Sequence, residues 1–119
     1  MAKAPRPQRS EIWSVQFDPS VGAEIRKLRP AVVANLDSIG RLPLRIVVPL
    51  TDWQPSFAGL PWFVPIAASP QTGLIKDSGA DAFQVKSLSE NRFVRRIGNV
   101  TNAQMEQIAS AIALCIGAP

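Results

Sequence analysis

The residues best suited to chemistry are two polar side chains that lie next to predicted strands. Arg29 lies in a polar connection, residues 18 to 30, after the first strand, and Thr51 follows the third. A guanidinium binds phosphate through charge-assisted hydrogen bonds, and a threonine hydroxyl supplies a neutral donor. If the loops meet over one end of a barrel, the two side chains converge on a phosphate. The residues alone leave this open, because an arginine before a proline is more commonly a solvated surface residue.

Other catalytic chemistries find little support. The sequence contains no His, and its single Cys115 lies in an apolar run typical of a buried, unreactive thiol. It also has no phosphate-binding loop, Gly-rich dinucleotide turn or nucleophile elbow. Kinase, dehydrogenase, zinc-enzyme and Ser-His hydrolase activities therefore lose support. We expect no metal site and no cofactor, and the single Cys fits the reducing cytoplasm.

The composition indicates one domain with an anionic partner. The chain has 119 residues, 46% hydrophobic and 18% charged, which is the size of one compact domain. A net charge of +4 favours nucleic acid or an acidic peptide as the partner. No apolar run reaches the roughly 20 residues of a membrane helix, and the first residues do not form a secretory signal. We predict a flexible basic arm over residues 1–9 and one domain over residues 10–119.

Hydrophobic patterning predicts a mostly antiparallel sheet. β-favouring residues nearly alternate from Ile12 to Phe17, and Asp18 with Pro19 ends this first strand. Pro49 interrupts the third apolar run, so we expect that end to lie at a sheet edge or bulge. The loops are predicted over residues 52–61 and 68–81. The other strand candidates are residues 31–36, 44–50, 62–67, 82–85 and 93–100.

The hydrophobic period changes to about 3.6 after Val100, which predicts one helix at the C-terminal end. Thr101 and Gln104 match a capping box, and Gly117 suits the left-handed position beyond the helix end. The predicted buried stripe is Met105, Ile108, Ile112 and Cys115. We therefore predict a mainly β fold with a C-terminal α-helix packed on an antiparallel sheet.

From residue 11 onward the sequence contains an ordered series of short motifs, which covers nearly the whole chain after the basic arm. The motifs are Glu11-Ile12-Trp13, Val15, Phe17, Asp18-Pro19, Val21-Gly22, Glu24, Arg29-Pro30, Ala31-Val32-Val33, Val48-Pro49-Leu50-Thr51, Gly73-Leu74, Asp77-Ser78, Gln84, Arg92 and Ile97-Gly98. Their ordered combination is more specific than any one of them, and in it the sequence resembles the MazF/PemK-like toxins of bacterial toxin–antitoxin pairs.

This resemblance implies an SH3-like antiparallel β-barrel that works as a homodimer and cuts single-stranded RNA without a metal. It also implies a cognate antitoxin whose extended segment covers the RNA-binding groove. In the family pattern the catalytic residues fall on Arg29 and Thr51, and Glu24 has a supporting role. The candidate RNA contacts are Arg26, Lys27, Trp53 and Gln84. Trp53 can stack on a base, although packing is an equally common role for tryptophan.

Two alternative functions stay open. A CcdB-like topoisomerase poison shares this barrel class, but such toxins use a Trp near the C-terminal end, and this chain ends in Gly117-Ala118-Pro119. A barrel that binds RNA without cutting it is the other alternative. Ala23 and Phe83 leave it open, because many family members carry Ser or His at the first position and some carry an acidic residue at the second. Arg29 and Thr51 argue against it.

Overall fold

The computed structural model describes residues 6–119, and residues 1–5 of the predicted arm lie outside the described residues. The described chain forms seven strands and one α-helix, with short 3₁₀ turns at Pro55–Gly59, Ala82–Gln84 and Glu90–Arg92. The strands are β1 (Glu11–Gln16), β2 (Leu28–Val33), β3 (Leu44–Asp52), β4 (Phe63–Ile66), β5 (Ser78–Asp81), β6 (Lys86–Ser89) and β7 (Phe93–Asn99), and the helix is α1 (Asn102–Ile116).

All strand pairs are antiparallel, in the order β4-β5-β3-β2-β1-β7, with β6 also paired to β3. The mainly β class with one C-terminal helix is confirmed. Within residues 6–119 the two ends of this order, β4 and β7, do not pair with each other, so the barrel-like sheet is open.

Of the two places predicted for Pro49, a sheet edge or a bulge, the sheet edge is wrong, because β3 is central. Pro49 is opposite Ala31 of β2. On its other side β3 pairs with β6 as far as Val47 and with β5 from Leu50 onward. Pro49 therefore lies where β3 changes partner from β6 to β5. Because proline has no N–H to donate, its position between the two pairings leaves the hydrogen bonds to β6 and to β5 uninterrupted.

The strand predicted at residues 82–85 is also wrong, since Ala82–Gln84 is a 3₁₀ turn capped by Asp81. Of the strands on either side of this turn, β5 lies in the loop predicted over residues 68–81, and no element is predicted at β6. β5 has the sequence Ser-Gly-Ala-Asp, which has low intrinsic strand propensity, yet all four residues are buried between β3 and β4. Its strand conformation comes from its neighbours.

Two apolar clusters cover the two faces of the sheet. Val48 and Leu50 of β3 face the cluster beneath α1, and Val47, with the opposite side-chain direction, faces the second cluster. The second cluster consists of Trp13, Val15, Phe17, Ala31, Val33, Val47 and Leu88. Helix α1 buries Met105 and Ile108 as predicted, while Ile112 and Cys115 are partly buried against the first cluster.

The ends of α1 match the sequence prediction. The Thr101 hydroxyl accepts a hydrogen bond from the Gln104 N–H at 3.1 Å, and the Gln104 side chain accepts from the Thr101 N–H at 2.8 Å. Gly117 beyond the helix has φ +69°, the left-handed conformation. No helix within residues 6–119 is long and apolar enough to cross a membrane.

The last four residues of the predicted arm contact the domain. Arg6 forms a 2.8 Å ion pair with Glu90, and the Pro7 carbonyl accepts a 2.8 Å hydrogen bond from the buried Arg45. The Arg9 guanidinium donates to the Ala34 carbonyl. The domain boundary at residue 10 stays a prediction, and residues 6–9 lie against the barrel in this structure.

Candidate active site

The β2–β3 register brings Arg29 and Thr51 to the same end of this strand pair. Val33 is opposite Val47, and Ala31 is opposite Pro49. Arg29 lies two residues before Ala31, and Thr51 lies two residues after Pro49, so continuing the register places them across from each other. Side chains two apart in a strand share a face. Both residues are half-buried and belong to the face of the second apolar cluster.

Arg29 is oriented by the backbone of the preceding loop. Its Nε donates to the Arg26 carbonyl at 2.9 Å, and its backbone lies opposite Val15 of β1. Within residues 6–119, no hydrogen bond or ion pair engages the terminal Nη atoms of Arg29. The guanidinium is thus fixed at one edge, and its two terminal nitrogens can bind an anion.

The loop between β1 and β2 is held by its own polar groups. The Glu24 carboxylate accepts from the Val21 N–H at 2.7 Å, and the Ser20 hydroxyl lies 2.7 Å from the Ile25 carbonyl. In the described residues Glu24 forms no ion pair with Arg29. The hydrogen bond of Glu24 therefore stabilises the loop and does not orient the Arg29 guanidinium.

Arg26 and Lys27 are exposed at the end of this loop, where cations can meet an anionic strand. Lys27 has φ +67°, a left-handed backbone conformation that residues other than glycine rarely adopt. Its carbonyl accepts from the Phe17 N–H at 2.9 Å. The chain thus closes the loop immediately before Arg29 enters β2.

Gln84 links this loop to the 3₁₀ turn at Ala82–Gln84. Its Oε1 accepts from the Ile25 N–H at 2.6 Å, and its Nε2 donates to Asp81 Oδ2 at 3.3 Å. The other Asp81 oxygen accepts from the Phe83 N–H at 3.1 Å. Burial raises the pKa of the Asp81 carboxyl, and the hydrogen bonds from Gln84 and Phe83 oppose that rise.

Sequence reasoning did not identify Asp81 as part of this arrangement. The available signal was its position three residues before Gln84, which is typical of a residue that caps a turn. That signal was hidden because residues 82–85 were predicted as a strand.

An aromatic cluster lies beside Thr51. Thr51 pairs with Gly79 of β5, and a Cβ atom on Gly79 would lie 3.1 Å from Phe57 and Phe63 and 3.3 Å from Trp53. The Phe57 and Phe63 rings stack with centroids 3.9 Å apart, and Trp53 meets Phe57 edge-on at 5.5 Å. Trp53 is half-buried, so it packs in the cluster and also keeps exposed surface.

The loop and the turn enclose a notch of about 430 Å³ beside the candidate residues. It is lined by Ala23, Glu24, Ile25, Phe83, Gln84, Val85 and Lys86. A larger groove of about 780 Å³ lies between β4 and α1, and it includes none of the candidate site residues. Residues 6–119 hold no group of three or more His, Cys, Asp or Glu side chains that is placed to bind a metal ion.

Solved structures of a MazF protein and of a mycobacterial endoribonuclease share this fold. A MazF structure from Deinococcus radiodurans superposes with a TM-score of 0.80 at 20% identity, covering 96% of this chain and 99% of that one. A mycobacterial endoribonuclease, solved in complex with its cognate antitoxin, has a TM-score of 0.71 at 19% identity and covers 95% of this chain and 97% of that one. The open barrel with one C-terminal helix is therefore a MazF-type fold.

Sequence comparison identifies the family. The model for the "PemK-like, MazF-like toxin of type II toxin-antitoxin system" matches residues 8–116. Endoribonuclease MazF9 of Mycobacterium tuberculosis is 34% identical over 113 residues, covering 90% of this chain and 93% of that protein. The chain belongs to the PemK-like, MazF-like toxins of type II toxin–antitoxin systems.

Proposed function

We propose that this protein is an endoribonuclease toxin that cleaves single-stranded RNA without a metal ion and so stops translation. Family membership and a relative named as an endoribonuclease support the reaction class. The observation that carries the site is the common end of β2 and β3, where Arg29 and Thr51 share a face. A net charge of +4 favours a polyanionic substrate.

In this mechanism the RNA 2′-hydroxyl attacks its own adjacent phosphate. The nucleophile is already tethered, so the protein mainly has to position the strand and stabilise charge on the five-coordinate phosphorus. The O2′–P bond forms as the 2′-hydroxyl gives up its proton to water, the P–O5′ bond breaks, the 5′-oxygen takes up a proton, and a 2′,3′-cyclic phosphate is left on the other fragment. The terminal nitrogens of Arg29 bind the developing charge, and the Thr51 hydroxyl donates to a nonbridging oxygen.

The Arg29 side chain is a poor candidate for the base, since a guanidinium has five N–H donors and no acceptor. We assign it charge stabilisation, with proton donation to the leaving oxygen as a secondary role. Glu24 supports the reaction by shaping the loop through its bond to the Val21 N–H. Arg26 and Lys27 bind the RNA backbone by charge, and Trp53 offers a surface on which a base stacks.

The partners follow from the same family. Antitoxin complexes occur among the structural relatives, and we propose that a cognate antitoxin inhibits this protein by covering its RNA-binding groove. We also propose that the active form is a homodimer in the cytoplasm, where messenger RNA is available. Gel filtration with light scattering tests the dimer directly, and a monomeric active enzyme would contradict it.

The first experiment incubates the purified protein, in EDTA, with a long unstructured RNA and a matched single-stranded DNA, and sequences the cut ends. We expect cleavage of the RNA alone at a short recurring sequence, with cyclic phosphate ends. Arg29→Ala should abolish cutting. The matched control is Arg41→Ala, which removes the same charge from the segment connecting the other ends of β2 and β3.

A second pair of variants tests the hydroxyl. Thr51→Val removes the donor at nearly constant volume and should lower the cleavage rate about 10- to 100-fold, whereas Thr51→Ser should keep most of it. RNA binding without cleavage by the folded protein would instead identify the inactive barrel. Absence of both binding and cleavage would reject the nuclease assignment.

A further inference from the structure

The Gln84 amide is already occupied by protein partners, which argues against a role as a direct RNA contact. Its oxygen accepts from the Ile25 N–H at 2.6 Å, and its nitrogen donates to Asp81 Oδ2 at 3.3 Å. A side-chain amide that contacts a base must give up one of these bonds. Within the protein the same amide joins two separate segments, the loop after β1 and the turn after β5.

The hydrogen bonds of Gln84 are connected to Arg29 through the backbone of Ile25 and Arg26. Both backbone polar groups of Ile25 are held, its N–H by Gln84 and its carbonyl by the Ser20 hydroxyl. The next residue is Arg26, whose carbonyl accepts from Arg29 Nε at 2.9 Å. The position of that carbonyl sets the plane of the guanidinium, because a bond at Nε restricts rotation about the end of the side chain.

We propose that Gln84 and Asp81 are positioning residues that fix the loop after β1, so that the Arg26 carbonyl aims the Arg29 guanidinium at the scissile phosphate. The inference rests on the proposed function, in which Arg29 stabilises the transition state. Arginine is long and flexible, and a small misplacement of a catalytic group costs much of its effect. A backbone carbonyl held through Gln84 supplies a fixed anchor.

The burial of Asp81 explains why glutamine is suited to position 84. Asp81 is only 8% exposed and lies in β5 opposite Phe63. A buried carboxylate needs hydrogen-bond donors, and Gln84 Nε2 and the Phe83 N–H both supply one. A glutamate at position 84 would place a second acceptor against this carboxylate, whereas glutamine donates to Asp81 and accepts from Ile25 at once.

The test uses Gln84→Met, which keeps the approximate shape of the side chain and removes both hydrogen bonds. Single-turnover cleavage of an RNA carrying the recurring sequence should slow about 10- to 100-fold, while the dissociation constant for that RNA changes less than about 2-fold. Nitrogen-15 NMR follows the Arg29 Nε–H, assigned by its loss in Arg29→Lys. Its hydrogen exchange should accelerate at least about 10-fold, because the bond to Arg26 loosens.

Two further variants make the test decisive. Gln107→Met is the same substitution on the exposed surface of α1 and should change neither the rate nor the Arg29 exchange. Asp81→Asn keeps Gln84 but replaces one of the two acceptor oxygens of residue 81 with an NH2 donor. The cleavage rate should therefore fall and the Arg29 Nε–H exchange should accelerate, both by less than in Gln84→Met. If thermal unfolding shows that Gln84→Met does not fold, Asp81→Asn decides.

A weaker RNA affinity with an unchanged cleavage rate would overturn the proposal and assign Gln84 to the RNA surface. An unchanged rate with unchanged affinity would overturn it as well. A wild-type protein that cuts no RNA would reject the proposed function. The Arg29 Nε–H exchange would then still report whether Gln84 positions Arg29.

Discussion

Replacing Gly98 with alanine tests how closely β7 packs against the segment before β5. An added Cβ would lie 2.4 Å from the Thr72 carbonyl oxygen and 2.5 Å from that of Gln71. These distances are about 1 Å shorter than the 3.4 Å at which ordinary contact begins. Both atoms belong to the backbone, and Thr72 is buried and hydrogen-bonded to Ser69, so neither can rotate away.

The same substitution at two other glycines gives a graded series. At Gly79 the added Cβ meets aromatic side chains at 3.1 Å, about 0.3 Å too close, and at Gly59 nothing lies within 4 Å. Overpacking in a rigid site costs typically 1–3 kcal/mol and occasionally more. We expect losses of unfolding free energy of at least about 3 kcal/mol for Gly98→Ala and about 1 kcal/mol for Gly79→Ala. Gly59→Ala should stay within about 0.5 kcal/mol of the wild type.

Urea unfolding followed by tryptophan fluorescence measures the series. For a chain of this size the Gly98→Ala loss corresponds to a fall in Tm of roughly 12 °C or more. The urea slope m should stay constant, since the surface exposed on unfolding is nearly unchanged. A Gly98→Ala protein within 1 kcal/mol of the wild type would refute the packing argument, and so would a reversed order of Gly98 and Gly79.

Three other predictions test separate features. Thr101→Ala removes the bond to Gln104 and should lower the unfolding free energy by about 1 kcal/mol, measured by urea unfolding, whereas Thr101→Ser should restore it. The Arg6 guanidinium holds the pKa of Glu90 below its ordinary value of 4.5, so the stability this pair contributes is present above pH 4.5 and is lost as the pH falls below it. Glu90→Gln should therefore unfold more easily than the wild type at neutral pH, with the difference shrinking in acid, and a pH-independent difference would contradict this. Trp53→Ala should weaken binding of single-stranded RNA about tenfold, measured by fluorescence anisotropy, and Trp53→Phe should keep most of the affinity.

The elements with strong local signals were predictable from the sequence. β1 and β7 have β-favouring residues, and α1 combines a capping box with a helical apolar stripe, so local preference and burial agree. Thr101 and Gly117 mark the ends of α1 because capping is a short-range interaction between a side chain and its own backbone.

The central part of the sheet was less predictable, because its strands depend on distant partners. Ser78 and Gly79 of β5 have no strand preference, and pairing with β3 and β4 on both sides determines their conformation. The aromatic cluster beside Thr51 also depends on this strand, since Phe57 and Phe63 pack closely over Gly79, which has no side chain.

In the candidate site, too, the residue types could be predicted from the sequence, whereas their positions relative to each other depend on the fold. Arg29 and Thr51 could be selected from the sequence by chemistry and by resemblance, but their common end follows from the β2–β3 register. Glu24 was the natural carboxylate to orient Arg29, whereas the structure places the Arg26 carbonyl at Arg29 Nε. Every residue has a carbonyl, so such a contact leaves no trace in the choice of amino acid. What the sequence does carry is the means of holding that carbonyl, through Gln84 and Asp81, and substitutions there should change Arg29 without touching it.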